Sequence, residues 1–226
     1  LTDSGANLIM LELNARELLT TTRSVRKRLD FSKPIARQLL EDCLELSLQA
    51  PNGSNMNTWK WLIIDDPTTI ASIASIYNAA MDDYVALLGD AVGENYMGAN
   101  IPGFNKINQS VDYLRENLAK APAILIPLMS GRVENAGVFM QASSYGSIIQ
   151  AVWSFFLALR SQGLGSAWTT AHLWREQELA ELLGIPFDQY TQVGLFPIAY
   201  TIGTDFKPAY RKPVKEVLSW NYFNNS

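Results

Sequence analysis

The chain has one cysteine, Cys43, and one histidine, His172. A single thiol excludes an intrachain disulfide framework and any cysteine-cluster metal site. A single imidazole excludes a metal centre built from histidines. A Ser-His-Asp triad would rest wholly on His172, and no Gly-x-Ser-x-Gly elbow is present to offer the serine. No Gly-x4-Gly-Lys-Ser/Thr loop occurs, which leaves nucleotide triphosphate chemistry unsupported. No apolar run reaches the ~18 residues of a membrane span, and the longest, Ala151 to Leu159, reads as a buried helix. Charge is scarce at 18% of residues, and the net charge of -4 argues against general nucleic-acid binding, which needs a basic face. The start lacks the basic-then-apolar signal pattern. The expectation is a soluble cytoplasmic protein with neither membrane nor nucleic acid as partner.

What is present suits one compact domain over residues 1–226: the chain weighs 25.2 kDa and is 48% hydrophobic. Asn14-Ala15-Arg16-Glu17 is a capping-box start for a short helix ending near Thr22. Pro34 precedes an amphipathic helix over Ile35 to Gln49, whose Leu39, Leu40, Cys43, Leu44 and Leu48 fall at helical spacing. Pro51 cannot continue it, and Lys60 to Asp65 reads as a buried strand. Residues 66–121 form an excursion with helices over Thr68 to Leu88 and Asn108 to Lys120, separated by Gly93 to Gly98 and dotted with tyrosines. Strands are predicted at Ala123 to Leu128, Ser166 to Thr170 and Gln192 to Thr201, and helices at Val138 to Ser161 and Arg175 to Leu183. Pro127 suggests an edge strand or a bulge. Asp65-Asp66 and Asp82-Asp83 read as solvated ends. Helices outweigh strands, so the class is α+β, a central sheet flanked by helices. The tail, Trp220 to Phe223, is too aromatic to be left in water and is expected to pack on another surface.

Two segments carry candidate binding chemistry. Arg23 to Arg28 places four cations in six residues of an acidic chain, just after a helix and with Ser24 among them, which suits an anion such as phosphate. Ala50 to Trp59 holds three asparagines, a serine and a glycine between two regular elements, a set of small donors that suits a planar ligand edged with carbonyls and ring nitrogens. Taken alone, Asn52-Gly53 is turn chemistry. Gly163-Leu164-Gly165 follows a helix where a dinucleotide fingerprint needs a strand, and it lacks the third glycine, so it reads as helix termination.

In this order, Arg23-Ser24-Val25-Arg26, the Ala-Pro-x-Gly-x-Asn-x-x-x-Trp loop, the Gly163 to Trp168 turn and the closing Phe206 to Pro213 resemble the nitroreductase superfamily of FMN-dependent oxidoreductases over nearly the whole chain. The resemblance implies a homodimer with a mostly antiparallel central sheet and FMN sites shared across the interface. Arg23, Ser24 and Arg211 are then expected at the phosphate and ribityl chain, and Arg26 near the flavin N1 and C2 carbonyl. Pro51, Asn52, Gly53, Ser54 and Asn55 would approach the flavin, with Asn55 and its neighbours donated by the partner subunit. Thr169 and Thr170 align with the strand end facing N5. NAD(P)H would be the co-substrate, and a nitroaromatic, quinone or similar small molecule the acceptor. No catalytic acid or base is expected, because the cofactor carries the chemistry. The same resemblance leaves open an ene-type reductase or dehydrogenase, and a non-catalytic flavin-binding or storage protein. The excursion lacks a Glu-x-x-x-Tyr pair like the clamp of deiodinases in the family. Two departures stand out: many relatives carry a further arginine at Thr22, and others a Glu-Gly pair at Thr170-Ala171.

Overall fold

The computed structural model describes residues 10–88 and 104–223. Helix α1, Ala15–Thr21, begins at the predicted capping box: Asn14 Oδ1 accepts from Glu17 N, and Glu17 Oε2 accepts from Asn14 N. The basic segment then runs into the two-residue strand β1, Leu29–Asp30. Helix α2, Arg37–Ser47, is shorter at both ends than its apolar pattern suggests. Ala36 is still extended after Pro34, and the chain leaves the helix in a turn before Pro51. Strand β2, Trp59–Ile64, is followed by α3, Pro67–Leu88, and α4, Phe104–Asn117. Gly93 to Gly98, read as the break in the excursion, lies outside the described residues.

Strand β3, Ala123–Ser130, is apolar along nearly its whole length because it is covered on both faces. Ala123, Leu125 and Met129 pack with α2 and with α5, Val138–Ser161. Ile124, Ile126 and Leu128 pack on the other side, against α3 and against α6, Glu176–Leu183. The remaining strands are β4, Leu164–Ser166, β5, Tyr190–Gln192, and β6, Phe196–Thr201. Along the main path the order is β1-β6-β3-β2, with β4 beside β6 and β5 beside β3, and every pairing is antiparallel. The expected α+β architecture is therefore present, with six strands among the described residues instead of four or five.

Several expectations are corrected here. Pro127 belongs to a central strand, not an edge. One residue's N–H and C=O point to the same side of a strand, and the Pro127 carbonyl accepts from Val193 N, so its missing N–H faces the gap between β5 and β6. That same gap divides the strand predicted over Gln192 to Thr201. Ser166 closes a strand instead of opening one; only an isolated bridge, Thr169 with Leu195, continues beyond it. Gly163 ends α5 in the left-handed region at φ +70°, but Leu164 and Gly165 are strand. The aspartate pairs are solvent-facing, as expected, but each has a partner, and Asp82-Asp83 lies within α3 instead of at an end: Asp65 pairs with Arg37, Asp66 caps α3 through Thr69 N, Asp82 pairs with Arg115 and Asp83 with Arg175.

Helix α5 is the one described helix long and apolar enough to cross a membrane. Its second half is buried against the sheet through Val152, Phe155 and Leu159, while Val138, Phe139 and Met140 at its start are exposed. The tail is also exposed within one chain: Trp220, Tyr222 and Phe223 are uncovered. Cys43 is core, as its spacing predicts, and burial pushes its thiol up to about 12.

Candidate functional site

The basic segment is held by the sheet beneath it. Val25 N donates to Ser166 O, and Val25 is buried against Gly165, where an added Cβ would lie 3.2 Å from Val25 and 2.8 Å from Thr201. With Val25 inward, its neighbours diverge. Arg23 and Ser24 are exposed, and Arg23 Nη1 donates to Lys207 O at 3.2 Å. Arg28 is committed elsewhere, to Ile202 O, to Asp205 and to the ring of Phe206. Lys27 reaches Gln109. Arg26 turns inward, half-buried.

Arg26 opens, with Thr169 and Thr170, into a cavity of about 320 Å³. Tyr77, Tyr84, Trp168 and Trp174 supply most of the rest of the wall, and among the described residues no carboxylate lines it. Burial holds the Arg26 guanidinium below its ordinary pKa, an effect partly opposed by Tyr77, and Arg26 Nε is buried with no hydrogen-bond partner among the described residues. Tyr77 is pushed up by burial against the opposing pull of Arg26 and of a hydrogen bond to the Thr169 side chain. Thr169 is fixed by exchange of backbone bonds with Leu195 and by its hydroxyl, which donates to Leu195 O at 2.8 Å. Thr170 is exposed at the start of a 3-10 turn over Ala171–Arg175. The result is an aromatic slot with a cationic donor at its edge that has no partner among the described residues. That suits a planar ring system with an electron-rich or anionic edge.

The asparagine loop lies elsewhere. Asn52, Gly53 and Ser54 line a second cavity, of about 370 Å³, with Trp59, Phe139 and Met140. The loop is internally tied: Asn52 Nδ2 donates to Asn57 Oδ1, Asn57 N to Asn52 Oδ1, and Asn57 Nδ2 to Asn55 O. Gly53 N donates to Ser147 Oγ on α5 at 2.8 Å. Ser54, Asn55 and Asn57 all take left-handed backbone, at φ 51°, 54° and 51°, which asparagine tolerates better than most residues. Much of the amide chemistry predicted for a ligand therefore shapes the loop itself.

Within one chain the predicted site residues fall into three groups. Arg26, Thr169 and Thr170 share the aromatic cavity. Asn52, Gly53 and Ser54 share the second, and the exposed Pro51 and Asn55 line neither. Arg23, Ser24 and Arg211 are exposed at the surface, where Arg211 Nη1 donates to Tyr210 O. The aromatic walls were missed in the sequence, although Tyr77, Met81 and Tyr84 carry a signal in their helical spacing. Among the described residues no group of three or more His, Cys, Asp or Glu is placed to hold a metal ion.

A family model described as the Nitroreductase family matches residues 19–200. Among solved structures, a BluB-like flavoprotein from Clostridium difficile 630 is similar with a TM-score of 0.70 at 16% identity, over 93% of this chain and 100% of the other. An FMN and NADPH-dependent nitroreductase, NfnB, from Sphigopyxis sp. strain HMH has a TM-score of 0.66 at 20% identity, over 93% and 100% of the two chains. An oxidised iodotyrosine deiodinase bound to FMN and 3-iodo-L-tyrosine has a TM-score of 0.65 at 22% identity, over 92% and 99%.

Proposed function

Because the chain belongs to the nitroreductase family, we propose that it is an FMN-dependent oxidoreductase that takes electrons from NAD(P)H and passes them to a nitroaromatic, a quinone or a similar electron-poor acceptor. The observation that carries this reading is Arg26: a half-buried cation beside Thr169 and Thr170 at the edge of an aromatic slot, where among the described residues its Nε has no partner and no carboxylate lines the wall. The names of two similar structures, a nitroreductase and a deiodinase, both include FMN, which supports the same cofactor.

When bound, FMN supplies hydride chemistry at its N5. The chain's own residues do the rest. Arg26 meets the pyrimidine edge of the flavin and stabilises the negative charge that develops there on reduction. Thr170 would present its backbone to N5, held in place by Thr169, whose own backbone bonds go to Leu195. Tyr77, Tyr84, Trp168 and Trp174 keep water from the slot and favour flat partners. Arg23, Ser24 and Arg211 hold the phosphate end. Reductant and acceptor use the same slot in turn, which gives a ping-pong reaction.

Asn52, Gly53, Ser54 and Asn55 complete the site of a second subunit. The dimer is formed through the exposed start of α5, and the apolar tail packs onto the partner. The whole chain acts as one domain, with the excursion over 66–121 bordering the acceptor's entry. The purified protein is expected to be yellow, to release FMN in acid, and to bleach on anaerobic titration with NADH or NADPH. A protein that takes up no FMN overturns the cofactor assignment. One that binds FMN but shows no steady-state NAD(P)H oxidation with any acceptor is a flavin-binding module instead.

A further inference from the structure

Arg160, near the end of α5, is 6% exposed. Its Nη2 donates to Thr204 O at 2.8 Å and to Thr21 Oγ1 at 3.3 Å, and its Cζ stands 5.0 Å from the centre of the Phe206 ring. No ion pair among the described residues includes it. Its Nη1 is buried with no partner, and so is the hydroxyl of Ser166. Both residues border one small cavity of about 10 Å³, with Thr22 and Arg23 also in its wall. A buried guanidinium without a carboxylate is costly, because it gives up water for nothing of opposite sign. Here Arg28 adds to that cost, and together with burial it lowers the Arg160 pKa.

The surroundings are positive as a group. Arg23 and Arg28 close on the segment around Phe206 and Lys207, and among the described residues Asp205, paired with Arg28, is the one carboxylate that answers them in an ion pair. Thr22 adds no charge to this wall, and its hydroxyl is turned back to Leu18 O. Arg160 brings a guanidinium from α5 to the same cavity wall.

We propose that Arg160 supplies buried positive charge behind Arg23, and so selects the phosphate of a flavin mononucleotide over the unphosphorylated flavin. This rests on the FMN reading above. Arg160 is a positioning residue: its charge acts through a poorly screened interior on a phosphate held by Arg23 and Ser24, and its bond to Thr204 fixes the segment whose Lys207 carbonyl steadies Arg23.

The test measures the affinity of flavin-stripped protein for FMN and for riboflavin, by quenching of flavin fluorescence. Arg160→Gln is expected to weaken FMN about tenfold and riboflavin less than about twofold, the signature of one lost charge-assisted interaction. Arg160→Lys keeps the charge and should keep most of the preference. Ser166→Asp places a carboxylate in the cavity while leaving the Thr21 and Thr204 bonds of Arg160 intact. It should lose the preference as Arg160→Gln does, and it decides the matter if the Gln variant does not fold. FMN and riboflavin falling together in Arg160→Gln, or a preference that survives Ser166→Asp, overturns the proposal. A wild-type protein that binds neither flavin overturns the FMN reading, and this inference with it.

Discussion

Arg26 and His172 are both titratable side chains removed from water without a partner of opposite charge, and they answer to different tests. If Arg26 meets the flavin as proposed, Arg26→Ala should lower the two-electron potential of the bound flavin by roughly 20–65 mV. That corresponds to about 1–3 kcal/mol of lost differential stabilisation. An anaerobic dye-equilibrium titration measures it, and equal potentials in the two proteins would place Arg26 away from the ring. His172 is fully buried with both ring nitrogens unpartnered among the described residues, and burial lowers its pKa from 6.5 to about 3. The unfolded chain takes up that proton near 6.5, so below this pH the unfolded state binds more protons. The stability tied to the neutral ring is therefore intact above pH 6.5 and is lost as pH falls toward 3. The slope is about 1.4 kcal/mol per pH unit for this one group. His172→Leu should flatten the acid limb of a stability–pH curve between those limits and cost little at neutral pH. An unchanged acid limb in urea melts would mean that His172 finds a partner in solution.

Element boundaries were legible where a cap or a period spoke alone. Asn14 and Glu17 announce α1, and the apolar spacing of α5 gives Val138–Ser161 at both ends. The sheet was less legible, because an apolar run says that a strand is buried and not which neighbours bury it. Ala123 to Leu128 reads the same as an edge or as the centre, and only the β5–β6 gap opposite Pro127 separates the two. The site shows the same division. Arg26, Thr169 and Thr170 could be named from motifs, but Tyr84 and Trp174 meet them only through packing between distant segments. At this scale Gly165 joins fold to site, since β4 passes too close to Val25 and Thr201 for any side chain. Gly165→Ala should cost about 1–3 kcal/mol of stability by overpacking. By shifting the segment that carries Arg26, it should also weaken flavin binding. A thermal melt matching wild type would show that the two layers separate freely.

For the whole molecule, the apolar surface left without cover includes the start of α5, with Phe139 79% exposed, and the tail, with Trp220 77% and Phe223 86% exposed. Aromatic surface of that extent is better explained by a second copy than by water. Sedimentation at low micromolar concentration should give a dimer with an interface above ~2,000 Å². Phe139→Glu should yield monomers that lose flavin, because the asparagine loop beside Phe139 would no longer reach a partner's site. Monomers that keep flavin would defeat the shared-site arrangement. Cys43 offers an independent view of the same folding unit. It is the chain's one thiol, sealed between α2 and α5 and protonated at any working pH. Maleimide or a disulfide reagent therefore has nothing to attack until these helices part. The rate of labelling becomes a clock for that opening, read by mass alone and requiring no engineered probe.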